Sequence, residues 1–148
     1  MTMKYFFPLL LALVVGAAAH AAEPTKSDEW SWTELENRTD HWASRGGHAN
    51  VEMKDGKINA QLMLEGESGA LYEISGTYRL GKPGLVQEGT VNATVTTLNS
   101  DYGDHVPYKG TYRKVMRTGP RFEPDYRFTE TIILSDTVNA IGLMRAVK

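Results

Sequence analysis

From Ala49 onward the apolar positions recur with period two and are broken at intervals by Gly, Pro, Asp and Asn, a pattern of strands joined by turns. The first hairpin shows it most plainly. Ala49, Val51 and Met53 alternate with Asn50, Glu52 and Lys54, then Asp55-Gly56 intervenes, then Ile58, Ala60, Leu62 and Leu64 alternate with Lys57, Asn59 and Gln61. Asp-Gly tolerates the positive φ angles of a type I′ turn, so a two-residue loop is predicted. That loop sets Lys54 opposite Lys57, Met53 opposite Ile58, Val51 opposite Ala60 and Ala49 opposite Leu62. Both apolar rows then lie on one side, and a slip of one residue would separate them.

A third strand is predicted over 70–80, with Ala70, Tyr72, Ile74, Gly76, Tyr78 and Leu80 sharing a face. A fourth covers 86–98, a fifth 108–116, a sixth 126–135 and a last one 140–147. Seven strands joined by turns, without the spacing of crossover helices, predict an all-β domain in antiparallel meander order. A small closed or nearly closed barrel of seven to eight strands is preferred, with a β-sandwich as the alternative. The preference rests on Gly76, Gly89 and Gly110, which share the inward parity and let strongly curved strands bend.

Ahead of this β domain (48–148) lies a segment, 22–47, that holds all three tryptophans, Trp30, Trp32 and Trp42. Up to Asp40 it carries six acids and two bases. Ser31 or Thr33 could cap a short helix over 34–42. The segment is expected to pack on one end of the barrel as a plug, and a missing eighth strand would come either from it or from a neighbouring subunit.

The first 21 residues read as a secretory signal peptide: Lys4, an apolar run over 6–19, and Ala19-His20-Ala21 before cleavage. The mature chain is then 127 residues, suited to one core, and is expected to be periplasmic or secreted with no membrane span. Removing Lys4 leaves 15 bases against 18 acids, too mild a balance to imply nucleic acid as a partner. The chain has no cysteine, which excludes disulfides, thiol chemistry and a thiolate metal site.

Candidate chemistry comes from charged residues on the apolar parity. Lys114 lies between Tyr112 and Met116, and Glu130 between Phe128 and Ile132. If Met116 faces Phe128, Lys114 faces Glu130. An unpaired buried charge costs several kcal/mol or shifts its pKa, so the two are expected to pair or to be wet at the barrel rim. Tyr72, Tyr78, Tyr112, Lys114 and Glu130 are therefore the candidate ligand-binding residues.

Lys109, Arg113, Arg117 and Arg127 share an outward parity and form a basic face, read as solvated surface or as a docking site for an acidic macromolecule. No nucleophile elbow, phosphate loop or zinc motif occurs, and no catalytic residue, metal or cofactor is assigned. The expected function is an exported non-enzymatic barrel that binds a small, partly apolar ligand in its cavity or mouth. The alternative is an envelope or secreted interaction factor acting through the basic face. A third reading is an isomerase or lyase with Glu130 as base and Lys114 or Tyr112 as acid.

Overall fold

The computed structural model describes residues 29–38, 41–98, 104–116 and 127–147. They form eight strands: β1 (Trp30–Arg38), β2 (His41–Lys54), β3 (Lys57–Leu64), β4 (Ala70–Leu80), β5 (Val86–Thr97), β6 (His105–Met116), β7 (Phe128–Ser135) and β8 (Ala140–Val147). Each pairs antiparallel with its sequence neighbours, and β1 also pairs with β8, so the meander closes into a barrel. Among the described residues every strand has a hydrogen-bonded neighbour on both sides. The signal-peptide reading and Arg117 fall outside the described residues.

The first hairpin has the predicted register, Lys54 opposite Lys57 through Ala49 opposite Leu62. Asp55 and Gly56 have φ of 54° and 78°, the positive pair that a type I′ turn requires. Side chains of the inward row are buried and those of the outward row exposed along Lys57–Gln61 and Glu73–Ser75. The outer face of β2 to β4 presents Asn50, Glu52, Lys57, Asn59, Gln61 and Glu73, all exposed.

The Trp-rich segment departs from expectation. It neither forms a helix nor plugs an end. Trp30–Arg38 is a strand hydrogen-bonded on both sides, opposite β2 on one and β8 on the other, and it supplies the eighth strand from within the chain. The boundary at residue 47 falls inside β2, so segment and β domain form one barrel. The physical reason is a period-two pattern in which Trp30, Trp32 and Glu34 point inward, all buried, while Ser31, Thr33 and Leu35 lie on the opposite face. Glu34 made that row look polar. Its charge is compensated inside the barrel.

The centre of the barrel is filled by Trp32, Ile58, Leu62, Ile74, Ile132 and Leu143, each with at most 2% of its surface exposed. Full burial of such side chains stabilises by about 1.5–3 kcal/mol each before entropy is counted. Curvature concentrates where side chains are absent. A Cβ built on Gly110 of β6 would lie 1.7 Å from the Ile133 carbonyl oxygen of β7, so only glycine permits that approach.

The alternating strand directions sort the inward residues into two ends. The end with the Asp55 turn gathers Trp30, Met53, Tyr78, Tyr112, Glu130 and Arg145, whereas the end with the Asp136 turn gathers Glu34, Arg45, Tyr72 and Tyr108.

Candidate functional site

A cavity of about 400 Å³ opens at the Asp55 end, lined by Trp30, Val51, Met53, Tyr78, Leu80, Tyr112, Glu130 and Arg145, with Glu52 at its edge. Each lining residue except Glu52 belongs to the inward row of its strand, so the cavity is the mouth of the barrel above its packed centre. Leu80, Leu85 and Val86 leave apolar surface exposed beside it.

Glu130 anchors the polar side of this mouth. It is 7% exposed, and in the sheet register it has Lys114 on one flank and Arg145 on the other. Arg145 Nε donates to Glu130 Oε1 at 2.6 Å, and the Tyr112 hydroxyl donates to Oε2 in a short contact. The Arg145 guanidinium lies 5.1 Å from the Trp30 ring centroid, which fixes it as a cation over an aromatic face. Burial, reinforced by the neighbouring Glu130 carboxylate, raises the Tyr112 pKa, so this phenol stays neutral and remains a donor.

The expected facing of Lys114 and Glu130 is present in the register. Their expected ion pair is not. Arg145 holds the carboxylate instead, and the Lys114 ammonium sits 4.2 Å from the Phe128 ring centroid. A guanidinium presents several donors in a planar fork and can hold a carboxylate while stacking on a ring, which a lysine cannot do.

Tyr72 belongs to a second, separate cluster at the Asp136 end. Its hydroxyl donates to both oxygens of Glu34, at 2.9 and 3.0 Å, and Arg45 Nε donates to Glu34 Oε1 at 2.7 Å. Arg45 Nη2 also reaches Glu36 Oε2 at 3.3 Å and donates to the Tyr72 hydroxyl. Trp32 packs edge-on against Tyr72 with ring centroids 5.8 Å apart, and its Nε1 donates to the Met63 carbonyl at 2.8 Å where β3 and β4 shift register. Burial works against the Arg45 charge, but Glu34 outweighs it and raises the pKa. Burial and the same carboxylate raise that of Tyr72.

Of the five candidate ligand-binding residues, Tyr78, Tyr112 and Glu130 line the cavity, Lys114 lies beside Glu130, and Tyr72 is at the other end. Sequence reasoning missed Trp30 and Arg145. Parity could have found Arg145, which shares its face of the last strand with Ile141 and Leu143. Of the basic face, Lys109, Arg113 and Arg127 are exposed, and Arg113 Nε lies 3.9 Å from Glu88. Among the described residues, no group of three or more His, Asp or Glu side chains is placed to hold a metal ion.

No protein-family model, curated protein or solved structure matches the chain.

Proposed function

We propose that this is an exported, non-enzymatic barrel that binds a small, partly apolar molecule in the mouth at its Asp55 end. The observation that carries the reading is the cavity of about 400 Å³ with an aromatic and aliphatic wall, Trp30, Met53 and Tyr78, facing the polar group of Tyr112, Glu130 and Arg145. Small-molecule sites are typically concave, mainly apolar and supplied with a few fixed polar groups, at volumes of about 300–1,000 Å³. Binding is favoured over catalysis because both Glu130 oxygens are already engaged by protein donors, which leaves a poor general base. Export rests on the signal-like N-terminus.

Native mass spectrometry of the protein, purified gently from its own envelope or culture fluid, tests both parts. The expected result is a polypeptide beginning at Ala22 that carries a reproducible small-molecule adduct. That adduct should be lost from Tyr78→Ala and kept by Tyr72→Phe. A bare mass would overturn the binding reading, and an intact N-terminus would overturn export by signal cleavage. A stable complex with another protein would instead favour a partner on the outer face, where Lys109 and Arg113 are exposed.

A further inference from the structure

The two ends of the barrel carry the same trio, a Tyr, a Glu and an Arg, in different states of completion. At the Asp136 end Arg45 uses both Nε, on Glu34, and a terminal nitrogen, Nη2, on Glu36 and Tyr72. Within this cluster two acids, Glu34 and Glu36, share one base, Arg45. It is a closed structural cluster.

At the Asp55 end the balance is reversed. The inward row there holds two bases, Lys114 and Arg145, and one acid, Glu130. Glu52 also borders the cavity but is exposed and on the outward parity of β2, where water screens it. Arg145 uses Nε for Glu130, and among the described residues its two terminal nitrogens take no acceptor. The Lys114 ammonium lies over the Phe128 ring, and among the described residues it has no carboxylate within ion-pair distance. Glu130 is already neutralised by Arg145 and capped by Tyr112, so it offers a cation little uncompensated charge.

Depth is limited as well. One inward position further along β1, β7 and β8 come Trp32, Ile132 and Leu143, which are fully buried and close the centre. An occupant must therefore be compact, with its apolar part against the wall of the mouth and no long tail threading the barrel.

Building on the proposed binding function, we infer that the cavity selects a compact organic carboxylate, with its aryl or branched-alkyl body against Trp30, Met53 and Leu80 and its head group on Arg145, while Lys114, outside the lining on the far flank of Glu130, adds a second positive charge. A guanidinium fork suits a carboxylate, and charge-assisted hydrogen bonds in a partly dried mouth are stronger than neutral ones.

The test uses three probes that share one apolar body, phenylacetate, phenethyl alcohol and phenethylamine, titrated calorimetrically into the purified protein at low ionic strength. Phenylacetate is expected to bind about tenfold more tightly than the alcohol, and the amine more weakly than either. Lys114→Met should reduce the preference for the carboxylate. The double variant Glu130→Gln/Arg145→Met avoids leaving a buried charge unpaired, and it should weaken the preference for the carboxylate over the alcohol further; only with Lys114→Met added should the preference disappear. Equal affinity for carboxylate and alcohol in the unaltered protein would overturn this inference and leave the cavity reading standing. Absence of binding by all three would overturn the cavity reading and this inference with it. Tighter binding of laurate than of phenylacetate would refute the compact-ligand requirement.

Discussion

Two buried carboxylates, Glu34 and Glu130, are each held by an arginine and a tyrosine, yet they should respond differently to loss of the arginine. The Glu34 side chain is 3% exposed and lies away from the cavity, whereas that of Glu130 is 9% exposed and borders a cavity that water can enter. Removing one partner of a buried pair costs about 3–5 kcal/mol because the remaining charge is stranded. Arg45→Met should therefore approach that cost, and Arg145→Met should cost clearly less, since water in the mouth can solvate Glu130. Urea-unfolding midpoints of the two variants measure the difference, and equal losses would contradict it. These residues also show what a sequence can reveal at this scale. Lys114 and Glu130 were legible because they interrupt apolar rows, and their facing register followed from strand parity. That Arg145 would capture Glu130 was not legible, since it depends on the reach of side chains across two strand pairs. Tyr72 was correctly placed on an inward face. Six residues of extended chain nonetheless separate it from Tyr78 by roughly 20 Å, enough to put the two at opposite ends.

Among the elements, the β6–β7 pair is where the fold tolerates least change. Gly110 lies opposite Leu134 in this ladder, and the Ile133 carbonyl occupies the space of a would-be side chain. Gly110→Ala must push the two backbones apart, at a cost of about 3 kcal/mol or more, at or beyond the upper range of overpacking. Gly69, in the β3–β4 turn, has nothing within 4 Å of its would-be Cβ, and Gly69→Ala should be neutral or slightly stabilising. Thermal unfolding of both variants makes the comparison, and a Gly110→Ala protein as stable as its parent would refute the close approach. The glycines on the inward parity were readable as bend sites, as was the Asp55-Gly56 hairpin. β1 was the element that escaped. Its inward row, Trp30, Trp32, Glu34, mixes indoles with an acid, so hydrophobicity alone shows no period of two. Ser31 and Thr33 ahead of Glu34 imitate a helix cap. Only tertiary structure, which brings Arg45 and Tyr72 to Glu34, makes that strand affordable to bury.

For the molecule as a whole, the interior phenols set a limit at high pH. Burial raises the pKa of Tyr108 to about 12, with a further upward push from Asp136, and burial first and a neighbouring carboxylate second raise those of Tyr72 and Tyr112. Each side chain has an ordinary value of 10.0 in the unfolded chain. Below that pH both states keep the proton, and the stabilisation is fully present. Above it the unfolded chain releases protons that the barrel retains, so unfolding is favoured progressively until the folded values are passed. A single such group contributes a slope of about 1.4 kcal/mol per pH unit, and three together about 4. The barrel should therefore hold its stability up to about pH 10 and lose it steeply beyond, with the Tyr108 share exhausted near 12. Urea unfolding measured along this alkaline range gives the slope directly. Tyr108→Phe should lower it by about one proton's worth, whatever its effect on stability at neutral pH. A slope unchanged by that substitution would show that Tyr108 ionises alike in both states, and would remove the buried phenol as a source of the alkaline limit.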